Sequence, residues 1–185
     1  MKKKLKSLLI DLGPGYHHQV RIIHSMIKEK SDSSMLFFNI EKGIDSIGED
    51  LRFHYSMAYK DFPKTFDLFR DFIKNNQFDL IGLGFMSHHW DIYVELSKVI
   101  RKTLPNCKII AGGVHAWHIS QSDTLEHCDY ISAAEGEELY SKLVDHLSTK
   151  PDVSPICIPG LIEKHQGKTI HTPVKKYMPV DDVPF

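Results

Sequence analysis

Cysteine is scarce in this sequence: three in 185 residues, at Cys107, Cys128 and Cys157. They stand 21 and 29 positions apart, which matches no zinc site, no CxxC redox pair and no CxxxCxxC cluster motif. An odd, sparse set also excludes a secreted disulfide scaffold, so the three read as reduced and mostly structural thiols. Long apolar runs are missing too. Nothing approaches the ~20 apolar residues of a membrane span. The run Leu8–Ile10 behind the basic start is cut by Asp11, too short for a signal peptide. Neither sign of charge dominates. With 23 Lys+Arg against 24 Asp+Glu, the formal net charge of −1 gives no global pull toward nucleic acid or an anionic membrane. Internal repeats and low-complexity tracts are absent as well. What remains is 42% apolar and 25% charged, the profile of a soluble, cytoplasmic globular domain large enough to fold without disulfide or metal.

Short apolar runs alternate with amphipathic stretches. Ser7–Gly13 reads as a strand closed by Gly13-Pro14-Gly15, and His17–Lys30 as a helix with Val20, Ile23, Met26 and Ile27 on one stripe. Met35–Ile40 is a strand buried on both faces, and Leu51–Tyr55 a short edge strand. Phe66, Phe69, Phe72 and Ile73 make Lys64–Asn76 an amphipathic helix with its phenylalanines in the core. The strand Asp79–Met86, the helix Asp91–Leu104 and the strand Lys108–Gly113 follow. A short helix Ser120–His127, a strand Asp129–Ala133 and a final helix Glu135–Thr149 complete the alternation.

This order implies βαβ units with right-handed crossovers, hence an α/β, Rossmann-like (flavodoxin-like) parallel sheet with helices on both faces. After residue 150 the character changes. Six of the nine prolines lie there, Leu161–Thr172 reads as a hairpin around Gln166-Gly167, and Pro179–Phe185 reads as a linker. The expected organisation is one domain over 1–150, then a hairpin and linker over 151–185.

Ligands of open parallel sheets bind outside the carboxyl ends of the strands. Four loops qualify: Gly13–His18, Ser87–Trp90, Gly112–His118 and Ala134–Glu138. Seven of the twelve histidines lie in or near them: His17, His18, His88, His89, His115, His118 and His127. Gly112-Gly113 lets a bulky ligand approach the backbone, or makes a simple tight turn. Glu135-Gly136-Glu137-Glu138 opens a helix whose amides could hold a polar group, although carboxylates there also serve as ordinary first-turn residues. The absence of GxGxxG and of GxxxxGK[ST] argues against dinucleotides and nucleoside triphosphates. The adjacent pairs His17-His18 and His88-His89 are expected to point their rings apart, so a shared metal is disfavoured.

Three segments taken in order carry a resemblance. They are Asp79-Leu-Ile-Gly-Leu-Gly-Phe, Asn106-Cys-Lys-Ile-Ile-Ala-Gly-Gly-Val-His-Ala, and Cys128-Asp-Tyr-Ile-Ser-Ala-Ala-Glu-Gly-Glu-Glu. Together they resemble the cobalamin (vitamin B12)-binding domain that precedes the catalytic core of B12-dependent radical S-adenosylmethionine enzymes. The likeness runs from about Asp79 to Phe185. It departs at Trp117, where the family usually has Thr, and in lacking DxHxxG, since His17 stands six positions from Asp11.

The resemblance implies cobalamin held base-off, with Ser87, Gly112, Gly113, His115, Trp117, Glu135 and Gly136 as the contact set. Ser87, Gly112 and Gly113 would lie near its nucleotide tail, and Trp117 would stack on the corrin or block it. S-adenosylmethionine and a 4Fe-4S cluster would belong to a catalytic core that follows Phe185 or acts in trans. The implied function is the cobalamin-binding module of an enzyme that transfers methyl groups or remodels a carbon skeleton. Two alternatives stay open: a B12-type domain without cofactor that acts as an interaction or substrate-positioning module, and a metal site built from the histidine-bearing loops.

Overall fold

The computed structural model describes residues 4–12, 18–39, 52–54, 63–113, 116 and 121–174. Within them the chain forms β1 (Lys6–Asp11), α1 (His18–Ile27), β2 (Asp32–Asn39), β3 (Arg52–His54), α2 (Pro63–Asn76) and β4 (Leu80–Gly84). A 3-10 turn (Ser87–His89), α3 (Trp90–Thr103), β5 (Lys108–Gly112), α4 (Gln121–Thr124) and β6 (Tyr130–Ser132) follow. The described chain then closes with α5 (Gly136–Thr149), β7 (Leu161–His165) and β8 (Lys168–His171).

All strands belong to one sheet of order β3-β2-β1-β4-β5-β6-β7-β8, parallel from β3 through β6 and antiparallel from β6 onward. Setting aside the three-residue β3, the parallel part has the flavodoxin-like order. The chain leaves β1 toward β2 on one side and returns to β4 on the other. A reversal of this kind is where open parallel sheets bind their ligands.

Residues of β1 divide between two cores with the period of a strand. Leu8, Ile10 and Leu12 join Ile81, Leu83 and Ile109 beneath Phe69, Ile73, Leu96 and Ile100 of α2 and α3. Leu9 joins Leu80 and Ile110 beneath Val20 and Ile27 of α1 and Leu139 and Leu143 of α5. The helix α3 buries Ile92, Leu96 and Ile100 at four-residue spacing and ends before Pro105, whose ring disfavours helix at the residue preceding it.

Two departures from the sequence reading have local causes. Strand β2 begins at Asp32 rather than Met35, because the polar Ser33 and Ser34 pair with Ser7 and Leu8 of β1 and hydropathy alone does not mark them. The 161–172 hairpin does not stand apart. Its β7 adds to β6, with Ile162 fully buried in the α2/α3 core. Its turn has φ of 50° at Gln166 and 77° at Gly167, the pair of positive values that a two-residue type I′ turn requires. Residues 175–185, which include the expected linker Pro179–Phe185, lie outside the described residues.

The amino ends of the strands are pinned by carboxylates. Asp79 accepts from the Lys6 amide at 2.8 Å. Asp129 accepts from the Ile109 amide at 2.8 Å and from the Arg101 guanidinium at 2.6 Å, with the Lys108 ammonium 3.6 Å away. Both aspartates belong to the segments that resemble the B12 family, and both work at the end of the sheet opposite the loops where ligands bind.

Candidate functional site

The carboxyl rim is built by hydrogen bonds that carry the ladder one residue beyond the strands. The Leu12 amide donates to Gly84 O at 3.0 Å, and the Phe85 amide donates to Gly112 O at 3.1 Å. Asp11, Gly84 and Gly112 stand in register across β1, β4 and β5. Two neighbouring strands therefore end without a side chain. Among the described residues, a Cβ added at Gly112 would meet only the Ser132 Cβ, 4.0 Å away, and one at Gly84 only Ile10 O at 3.6 Å.

Beyond Gly84, Phe85–Trp90 turn over the strand end. Ser87 and His88 are exposed, while His89 is wholly buried. The turn closes reciprocally: the His89 amide donates to Met86 O at 2.9 Å, and the Met86 amide reaches back to His89 Nδ1 at 3.4 Å. The rings of His88 and His89 do not point apart as expected. The 3-10 turn brings their centroids to 3.8 Å in an edge-on contact. A shared metal remains unsupported, since no three His, Cys, Asp or Glu side chains come together as a metal site among the described residues.

Because Nδ1 accepts from an amide, the neutral ring carries its proton on Nε2. That buried Nε2 has no hydrogen-bond partner among the described residues. Burial first, and then the neighbouring His88, lower the pKa of His89 from 6.5 to about 4, with the Asp11 carboxylate pulling weakly the other way. Since the unfolded chain takes up the proton more readily, this contribution to stability is complete above pH 6.5 and is lost as pH falls toward 4. Between pH 7 and pH 5 His89 should cost the fold about 2 kcal/mol. Urea unfolding at the two pH values should show the loss, and His89→Phe should remove that share of it. An equal pH slope in the variant would refute the assignment. His24 adds in the same direction, its pKa lowered by burial and by Lys28.

The other expected contact residues are placed as follows. Gly113 sits at φ 97°, and a Cβ there would stand 2.4 Å from Phe85 O. A Cβ on Gly136 would meet Ile23 Cδ1 at 3.0 Å, where α5 packs on α1. Both glycines thus have a packing reason independent of any ligand. Glu135 is exposed at the N-cap of α5, and its side chain makes no capping hydrogen bond. Gly13–His17, His115, Trp117 and His118 lie outside the described residues. His127 does fold back toward the site. Its ring centroid lies 5.9 Å from Trp90 and 6.1 Å from Tyr93, which stacks on Phe85 at 4.2 Å. His89 was not among the expected contacts; the doubled histidine marked the place, but not which ring turns inward.

The fold has a solved counterpart. It is a structure of the cobalamin-dependent S-adenosylmethionine radical enzyme OxsB with aqua-cobalamin bound. The two superpose with a TM-score of 0.69 at 13% identity, over 94% of this chain and 23% of that one. This chain therefore spans about a quarter of that enzyme's length, and the likeness is one of fold. No family model matches the sequence, and no curated protein matches it.

A large cleft lies at the opposite end of the sheet. It is an open space of about 1200 Å³ lined by Asp79, Arg101, Lys108, Asp129 and Glu163 among others. Several of its charged groups are already engaged. Asp79 and Asp129 cap strand starts, Arg101 pairs with Asp129, and Glu163 accepts from the Ser154 hydroxyl. The carboxyl rim, with a side-chain-free edge and an unpaired buried donor, is the better candidate. Cys107 and Cys128 are buried, and burial is the main reason both thiols are pushed up to about 12, so neither is a nucleophile at neutral pH. No helix among the described residues is long and apolar enough to cross a membrane.

Proposed function

We propose that this chain is a corrinoid-binding module that serves a radical S-adenosylmethionine catalytic core, in cis or in trans. The observation that carries the reading is the pair of strand ends without a side chain, Gly84 and Gly112, next to the reversal between β1 and β4. A flat, bulky ligand needs such an edge to come against the backbone, and the resemblance over Asp79–Phe185 and the fold of the OxsB counterpart support its being a corrinoid. In this reading Ser87 and Gly112 lie along the nucleotide tail. Glu135, with His115 and Trp117 from the segment that follows β5 in sequence, completes the contact set.

The bound corrin would supply the carbon-carrying cobalt. The chain's own part is to bind it, to orient it, and to leave its lower face without a histidine of the DxHxxG type. The visible spectrum of hydroxocobalamin titrated with the purified chain tests this. A saturable change to the base-off spectrum is expected. An unchanged spectrum at full occupancy would contradict the base-off binding mode, and no saturable binding would favour a cofactor-free interaction module.

A further inference from the structure

The ring of His89 is wholly buried at the carboxyl end of β4, beside the reversal between β1 and β4. Its Nδ1 is committed to the Met86 amide, so its Nε2–H is a donor with no partner among the described residues. A buried donor left unpaired forfeits its hydration without a replacement bond, a cost the fold carries at the place where the chain reverses. Asp11 lies within electrostatic reach of the ring, which sets it near the end of β1 as well as that of β4. Only the exposed His88 ring lies edge-on against it in a described ring contact.

From these placements we infer that His89 is the ligand-orienting donor of the site. Its Nε2–H donates a hydrogen bond to an acceptor oxygen on the periphery of the bound corrinoid, and the ring makes no bond to cobalt. This rests on the corrinoid reading above and adds to it a specific residue and atom. Corrinoids offer two sources of such an oxygen, the side-chain amides and the nucleotide tail with its phosphate and ribose, and cobinamide keeps the amides but lacks both phosphate and ribose. A ring held neutral at physiological pH is suited to either, because it donates without adding a charge.

The test compares the wild type with His89→Phe, which keeps a ring and removes both nitrogens, and with His89→Gln, which restores a donor. Affinity for hydroxocobalamin and for dicyanocobinamide is measured together with the thermal midpoint of the ligand-free chains. The expected result is an affinity at least 10-fold weaker for His89→Phe, partial recovery in His89→Gln, and a ligand-free midpoint that does not fall. In addition, a slowly exchanging His89 Nε2–H resonance should appear in the wild type only on loading. A penalty retained with cobinamide assigns the acceptor to an amide, and one that vanishes assigns it to the nucleotide tail. Equal affinity of wild type and His89→Phe overturns the inference and leaves the corrinoid reading standing. So does a fall in midpoint that parallels the loss of affinity, or slow exchange already present in the free chain. Failure of the wild type to bind either corrinoid overturns both.

Discussion

Gly113→Ala is expected to destabilise this protein by about 3 kcal/mol or more, lowering its thermal midpoint by roughly 6–12 °C. Two costs add. At φ 97° the backbone is in a region that L side chains rarely adopt, a penalty of about 1–2 kcal/mol. The new Cβ would also stand 2.4 Å from Phe85 O, and that carbonyl cannot retreat freely, because the Phe85 amide is itself bonded to Gly112 O at 3.1 Å. Overpacking of this kind costs about 1–3 kcal/mol. Thermal unfolding of the ligand-free chain checks the prediction. A midpoint within 2 °C of wild type, set as roughly the least that a full 1 kcal/mol would shift, would show that the turn relaxes instead.

Gly112→Leu should do the opposite. Among the described residues its Cβ meets one atom, at 4.0 Å, and there is no positive φ to violate, so the fold should be retained. The leucine would project from the rim where the ligand is proposed to lie. Corrinoid affinity should fall at least 100-fold, about 3 kcal/mol, while the midpoint stays near that of wild type. Two adjacent glycines thus separate a fold requirement from a ligand requirement. Unchanged affinity in Gly112→Leu would remove β5 from the binding edge.

The pair also shows how far the site can be read from sequence. Gly-Gly after an apolar run announces a backbone requirement, but the requirement at Gly113 comes from a neighbouring loop that sequence proximity does not reveal. The same holds for Gly136, whose constraint is Ile23, more than a hundred positions earlier. The strands β1, β4 and β5 were legible because burial on both faces leaves continuous apolar runs such as Leu-Ile-Gly-Leu-Gly. The first residues of β2 were not, since Asp32–Ser34 pair through their backbones and carry no apolar signal. The hairpin was legible from Gln166-Gly167, but not its attachment to β6, a long-range pairing written in no local pattern. His88-His89 drew attention as a pair, while the inward turn of His89 depends on a 3-10 turn that only the folded chain displays.

Equilibrium dialysis of the purified wild-type chain against hydroxocobalamin tests the central claim most directly. The account predicts saturation at one corrinoid per chain. No retention at 1 mM corrinoid, meaning binding weaker than about −4 kcal/mol, would contradict it.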